Sequence, residues 1–139
     1  MKFDYLKQPN FLNPQKPWIS RPLIPVRLIN KDKQLKVYAL LDSGADASLF
    51  HSSIAKELGI DMETGRRESF FGISGENINV YFHSINLQII GSSETVELEA
   101  GFTDSKGVAA ILGQTGFFEN YHIKFERDKE RLEVTPVKK

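Results

Sequence analysis

The chain has no cysteine. A disulfide scaffold, thiol catalysis and thiolate zinc sites are therefore excluded. It also lacks any excess of one charge: 18 basic and 18 acidic side chains cancel within 139 residues. That balance argues against nucleic-acid binding by bulk electrostatics. The only basic clusters are the pairs Arg66-Arg67 and Lys138-Lys139. No apolar run approaches the roughly 20 residues of a membrane span. The opening MKFDYLKQPNFLNPQKPW has no apolar core of signal-peptide length. His51, His83 and His122 show no ligand spacing and no nucleophile partner, so they read as surface or packing residues. Asp42 and Asp46 lack the further oxygen donors of a calcium loop. These absences point to a soluble cytoplasmic protein with no cofactor, no metal, no nucleic-acid partner and no membrane contact.

What is present is an ordinary globular composition, 40% hydrophobic and 26% charged, of a length that suits one domain. Residues 1–20 are polar and proline-bearing, with scattered Phe3, Tyr5, Phe11 and Trp18. They read as an N-terminal extension or arm, mostly irregular, ahead of a domain over 21–139. Short strands follow. PLIPVRLIN alternates at Ile24, Val26 and Leu28, and QLKVYALL at Leu35, Val37, Ala39 and Leu41, with Asn30–Lys33 as the turn. HSSIAKELGI is a helix capped by Ser52 or Ser53 and closed by Gly59. RRESFFGISGENINVYF reads as two strands about a turn at Gly72, Ile73, Ser74 and Gly75. Apolar parity then switches from Ile78, Val80, Phe82 to Ile85, Leu87, Ile89, which predicts a bulge or bend near His83-Ser84. TVELEAGF and VAAILG are further strands, QTGFFENY is a brief helix, and HIKFE with RLEVTP makes a last hairpin. The fold class is mostly β, with one or two short helices.

One carboxylate stands out. In VYALLDSGADASLF an apolar strand runs directly into Asp42, then Ser43, Gly44 and Ala45, with Asp46 close behind. Burying an unpaired carboxylate is costly, so such a group finds a partner or shifts its proton affinity. Asp42 is either a turn residue or a group whose awkward setting serves chemistry. The motif GISGE is not a hydrolase elbow, because Glu76 stands where the final glycine would be. Gly72 and Gly75 are equally consistent with an ordinary hairpin.

Three segments occur in order: ALLDSGADASLF, the glycine hairpin FFGISGENI, and ILGQTGFF. Together they resemble the retroviral-type, retropepsin-like aspartic peptidases over roughly residues 22 to 136. The resemblance implies a closed acid-protease β-barrel, active as a homodimer on a peptide or protein substrate. It implies an aspartic endopeptidase whose catalytic residues are Asp42, Ser43 and Gly44. Ala45, Asp46, Gly72, Ile73, Ser74 and Gly75 are the implied substrate-binding residues. One Asp-Ser-Gly per short chain suits a two-fold axis that brings two Asp42 together, since such peptidases need two carboxylates sharing a proton. The sequence departs from the family at Gln114, where retroviral enzymes carry an arginine that pairs with the residue at the Asp46 position. That departure keeps a second reading open, a retropepsin-like module that only dimerises or binds peptide. A generic β-barrel binding domain would require the motif match to be accidental. Apolar residues around the hairpin and in VAAILG suggest apolar side chains beside the cleaved bond. RLEVTPV is expected to knit the termini into a shared dimer sheet, so that removing Arg131 to Lys139 weakens the dimer.

Overall fold

The computed structural model describes residues 1–71 and 75–138. Its strands are β1 (Lys2–Asp4), β2 (Leu6–Pro9), β3 (Trp18–Arg21), β4 (Leu23–Asn30), β5 (Lys33–Leu41) and β6 (Ser48–His51), followed by helix α1 (Ser52–Glu57). Then come β7 (Arg66–Phe71), β8 (Asn77–Ile89), β9 (Thr95–Thr103), β10 (Ala110–Leu112), β11 (Tyr121–Glu126) and β12 (Arg131–Pro136). The order β4-β5-β10-β6-β9-β8 closes on itself, because β8 also pairs with β4 from Val26↔Ile89 to Ile29↔Asn86. Closure leaves no free sheet edge in the barrel. The alternation read in β4 and β5 holds: Ile24, Val26, Leu28, Ala39 and Leu41 are buried with Phe50, Leu87, Ile89 and Phe102 in one core. The β4–β5 turn places Lys31 at φ 56, a left-handed conformation.

The parity switch in β8 has another cause than a bulge. The β8–β9 ladder runs unbroken from Tyr81↔Phe102 to Gln88↔Thr95. Side chains alternate faces along a strand, so Val80 and Phe82 point away from Ile85, Leu87 and Ile89. The second half of β8 faces the barrel core. The first half packs on the opposite face, where a Cβ on Gly101 would meet Val80 Cγ1 at 2.5 Å and Leu49 Cδ2 at 2.8 Å. Gly101 is the gap that lets Val80 and Leu49 come together. Residues 77–82 of β8 also pair with β7, and this hairpin stands off the barrel.

Three local expectations are corrected. Helix α1 is capped by His51 rather than by Ser52 or Ser53: its Nδ1 accepts from the Ser53 amide at 3.2 Å. An imidazole nitrogen serves as well as a hydroxyl there, since it supplies the same lone pair to an orphan amide. Gly59 does end the helix, at φ 67. Residues 114–118 form a wide turn, not a helix, because Thr115 is extended and Gly116 sits at φ 91. Finally, the N-terminal segment is more ordered than its composition suggests. β2 and β3 form their own hairpin, from Leu6↔Arg21 to Pro9↔Trp18.

β1 joins β12, which also pairs with β11, in a three-stranded sheet. The Met1 ammonium donates to the Val134 carbonyl at 2.8 Å. Both edges of β12 are thus occupied by its own chain, and Leu132 and Val134 are fully buried in the core. Removing residues from Arg131 onward would therefore unfold the domain before it reported on a dimer. Leu132→Ala alone is expected to cost about 2–5 kcal/mol of stability by leaving a core cavity, read as a lower midpoint in urea unfolding. Tyr121 stacks on Phe117 at 5.0 Å, and its buried hydroxyl has no hydrogen-bond partner among the described residues. Burial raises the Tyr121 phenol above its ordinary value. Folding therefore weakens as pH climbs past about 10, where the unfolded chain sheds a proton that the fold retains. Tyr121→Phe is expected to leave stability equal or higher by about 1 kcal/mol at neutral pH, and to remove that alkaline loss.

Candidate active site

Asp42 is set by the seam between β5 and β10. These strands pair in parallel, Leu40↔Ile111 and Leu41↔Leu112, and the Asp42 amide extends the ladder to the Leu112 carbonyl at 3.0 Å. Leu41 and Leu112 are buried, so the two strands anchor the loop from below. The chain then turns: the Ala45 amide donates to the Asp42 carbonyl at 3.1 Å, and the Gly44 amide to Asp42 Oδ1 at 3.0 Å. One carboxylate oxygen is thereby oriented by backbone. Asp42 and Ala45 are half-buried, while Ser43, Gly44 and Asp46 are exposed. A Cβ on Gly44 would stand 3.3 Å from Asp42 Oδ1, so glycine keeps the space beside the carboxylate clear.

A second segment is laced across this loop. The Gln114 amide donates to the Ala45 carbonyl at 2.8 Å, and the Thr115 amide to the Asp46 carbonyl at 2.8 Å. The Gln114 side chain donates through Nε2 to the Ser43 carbonyl at 2.7 Å. Gly113 is the hinge of this contact. A Cβ there would lie 2.4 Å from the Ala47 carbonyl oxygen and 2.7 Å from that of Ala45. The Gly113 amide is satisfied by Ser48 Oγ at 3.1 Å, and Ser48 is fully buried. Sequence reasoning did not single out Ser48, and it treated Gln114 only as a lost charge. The signal was available in chemical type: a carboxamide is a neutral donor that can fasten a carbonyl without an ion pair.

Beside this loop lies a cavity of about 210 Å³ lined by Phe70, Phe82, Asp46, Glu68, Glu99 and Arg66. Arg66 lies 4.8 Å over the Phe82 ring and pairs with Glu68 and with Glu99, the latter at 3.0 Å. The hydrogen bond to Glu99 is the main cause holding the Arg66 guanidinium above its usual proton affinity, with burial opposing it and Glu68 adding to it. A second cavity, about 330 Å³, is lined by Gln8, Arg21, Leu23, Tyr38, Leu40 and Ile111. Of the hairpin residues expected to touch substrate, Gly75 is exposed, at φ 81. Gly72, Ile73 and Ser74 lie outside the described residues. The described residues contain no group of three or more side chains suited to a metal ion. His51 caps a helix, and His83 bonds the Met62 carbonyl at 2.7 Å and packs on Phe102. No helix among the described residues is long and apolar enough to cross a membrane.

The sequence profile described as aspartyl protease matches residues 24–115. A retropepsin-like aspartic protease from Rickettsia conorii superimposes with a TM-score of 0.64 at 11% identity, covering 97% of this chain and 98% of that one. The EIAV protease, solved with the inhibitor HBY-793, gives a TM-score of 0.51 at 20% identity over 77% of this chain and 88% of that one. At these identities the likeness establishes a retropepsin-like fold. No curated protein matches the sequence at a significant level.

Ser48→Ala is expected to destabilise the domain by about 1–3 kcal/mol, because it strands the buried Gly113 amide. Gly113→Ala is expected to cost at least as much, since its methyl would meet backbone carbonyls that cannot step aside. Urea unfolding of both variants beside the unaltered protein measures this.

Proposed function

The chain belongs to the aspartyl protease family, and from that premise we propose that it is an aspartic endopeptidase working as a homodimer, each protomer supplying one Asp42. The observation that carries this reading is the loop geometry. A single carboxylate, oriented by the Gly44 amide, stands half-buried at the end of a barrel strand, with Ser43 and Gly44 exposed beside it. Two such loops meeting at a two-fold axis make one site from two incomplete halves. Residues 21–139 would form the proteolytic unit, with residues 1–20 as an arm.

The roles follow from like charges at close range: two adjacent carboxylates hold one proton between them. The ionised Asp42 takes a proton from a bound water, whose oxygen attacks the scissile carbonyl carbon. The protonated Asp42 polarises the carbonyl oxygen and then returns a proton to the leaving nitrogen. The Ser43 hydroxyl would bond across the dimer. Gly44 and Ala45 would present their backbone to an extended peptide, and Asp46 would bind the peptide main chain beyond them. The β7–β8 hairpin would close over the peptide and exclude water, with Gly72, Ile73, Ser74 and Gly75 as its proposed substrate contacts. In place of a charge pair, Gln114 would keep the loop in register through its bond to the Ser43 carbonyl.

The test is cleavage of a diverse peptide library by the unaltered protein and by Asp42→Asn, from about pH 4 to 7, the range suited to a carboxylate pair that shares one proton. Cleavage is expected to fall by at least about 10²–10⁴-fold in Asp42→Asn, with folding and dimerisation retained. Absence of cleavage by a folded dimer of the unaltered protein would favour the alternative, a module that dimerises or binds peptide without cutting it.

A further inference from the structure

The β2–β3 hairpin has no role in the reading above. It is a two-stranded sheet that pairs with no strand of the barrel. Its four-residue strands reach about 13 Å. Beyond them, residues 10–17 form a tip held by its own bonds: the Asn10 amide to the Pro17 carbonyl at 2.8 Å, and the Lys16 amide to the Asn13 carbonyl at 3.0 Å. This ordered tip presents Phe11 at 91% exposure and Leu12 at 96%, with Trp18 below them at 60%. Large apolar side chains held this far into water, on a pre-shaped support, mark a contact surface.

The charge of the hairpin narrows the partner. Residues 6–21 carry Lys7, Lys16 and Arg21 and no carboxylate, although the whole chain is neutral. Glu130 accepts a hydrogen bond from Ser20 and feels the charge of Lys7 at the base, where Arg21 also lies, which leaves Lys16 near the tip. The cavity beside Asp46 has the opposite character. Three carboxylates, Asp46, Glu68 and Glu99, line it with one guanidinium, Arg66, and with Phe70 and Phe82. An apolar tip that carries Lys16 and an apolar, acidic cavity are complementary in both respects. The base of the hairpin also stands close to the catalytic loop, since Gln8 and Arg21 share a cavity with Leu40, two residues before Asp42. A second protomer brought to Asp42 by a two-fold axis would come within the hairpin's reach.

We propose that the β2–β3 hairpin of one protomer docks on its partner, seating Phe11 and Leu12 against the cavity rimmed by Asp46, Glu68 and Glu99 of the second copy. This rests on the homodimer reading. The arm then fastens the dimer at the mouth of each cleft, and it sets how far a bound peptide can extend. It also supplies a charge contact between subunits in a chain whose Gln114 provides none.

The absence of cysteine makes the test direct. In an Asp42→Asn background, a size-tagged Leu12→Cys variant is mixed with Glu99→Cys and oxidised mildly. The expected result is a heterodimeric disulfide forming at least about tenfold faster than with Asp32→Cys, a control in the β4–β5 turn. Sedimentation of Phe11→Ser/Leu12→Ser is expected to show a dimer dissociation constant raised about tenfold or more. Neither readout depends on peptide hydrolysis. A dimer that cross-links no faster than the control overturns the arm contact and leaves the homodimer standing, with the cavity free for substrate alone. A protein monomeric at every concentration overturns both.

Discussion

The close approach of two backbones at Gly113 is the constraint on which the site depends. Because residue 113 has no side chain, its segment lies against the carbonyls of Ala45 and Ala47. The amides of Gln114 and Thr115 then reach the carbonyls of Ala45 and Asp46, and Gln114 Nε2 reaches that of Ser43. Each bond is individually worth only about 1 kcal/mol. Together they give the Asp42 loop one geometry. The proposed pairing of this carboxylate with a second copy requires such firm placement, because its counterpart would come from a separate chain.

The barrel supplies the platform for that loop. Parallel pairing of β5 with β10 brings Leu41 and Leu112 side by side under Asp42, although some seventy positions separate them in sequence. β8 extends the same sheet beyond the barrel. Its inner half seals the core through Ile85, Leu87 and Ile89, and its outer half carries Phe82 to the cleft. One strand thus serves the core and the cavity by changing which face is covered. The cavity has a mixed lining of aromatic rings and carboxylates, and Arg66 links the two through Phe82 and Glu99.

The terminal strands leave little edge for a partner chain. β12 is enclosed between β1 and β11, so its hydrogen-bonding edges are consumed within the chain. The two most exposed large apolar side chains among the described residues, Phe11 and Leu12, instead belong to the N-terminal hairpin. A neutral chain with a basic hairpin and an acidic cleft has its charge separated by position, a feature that a net-charge count cannot register.

Much of this was written in local sequence. Two-residue periodicity placed β4, β5, β9 and the terminal hairpin, because one face of each strand needs burial and the other tolerates water. The triplet Asp42-Ser43-Gly44, with ILG downstream, marked the candidate site because small residues leave room around a carboxylate. Other features depended on partners remote in the chain. The parity change in β8 looked like a bulge, since the sequence cannot say that Gly101 and Leu49 await Val80 on the second face. The cap of α1 fell to His51 because the backbone aimed its ring, not a serine hydroxyl, at the free amide. Ser48 was silent as a letter and is needed only because the Gly113 amide arrives beside it. Sequence by itself determined the family resemblance and which faces seek burial, since both rest on side chains and their spacing. Tertiary structure decided which backbone donors meet which acceptors, since those pairings exist only once the barrel closes.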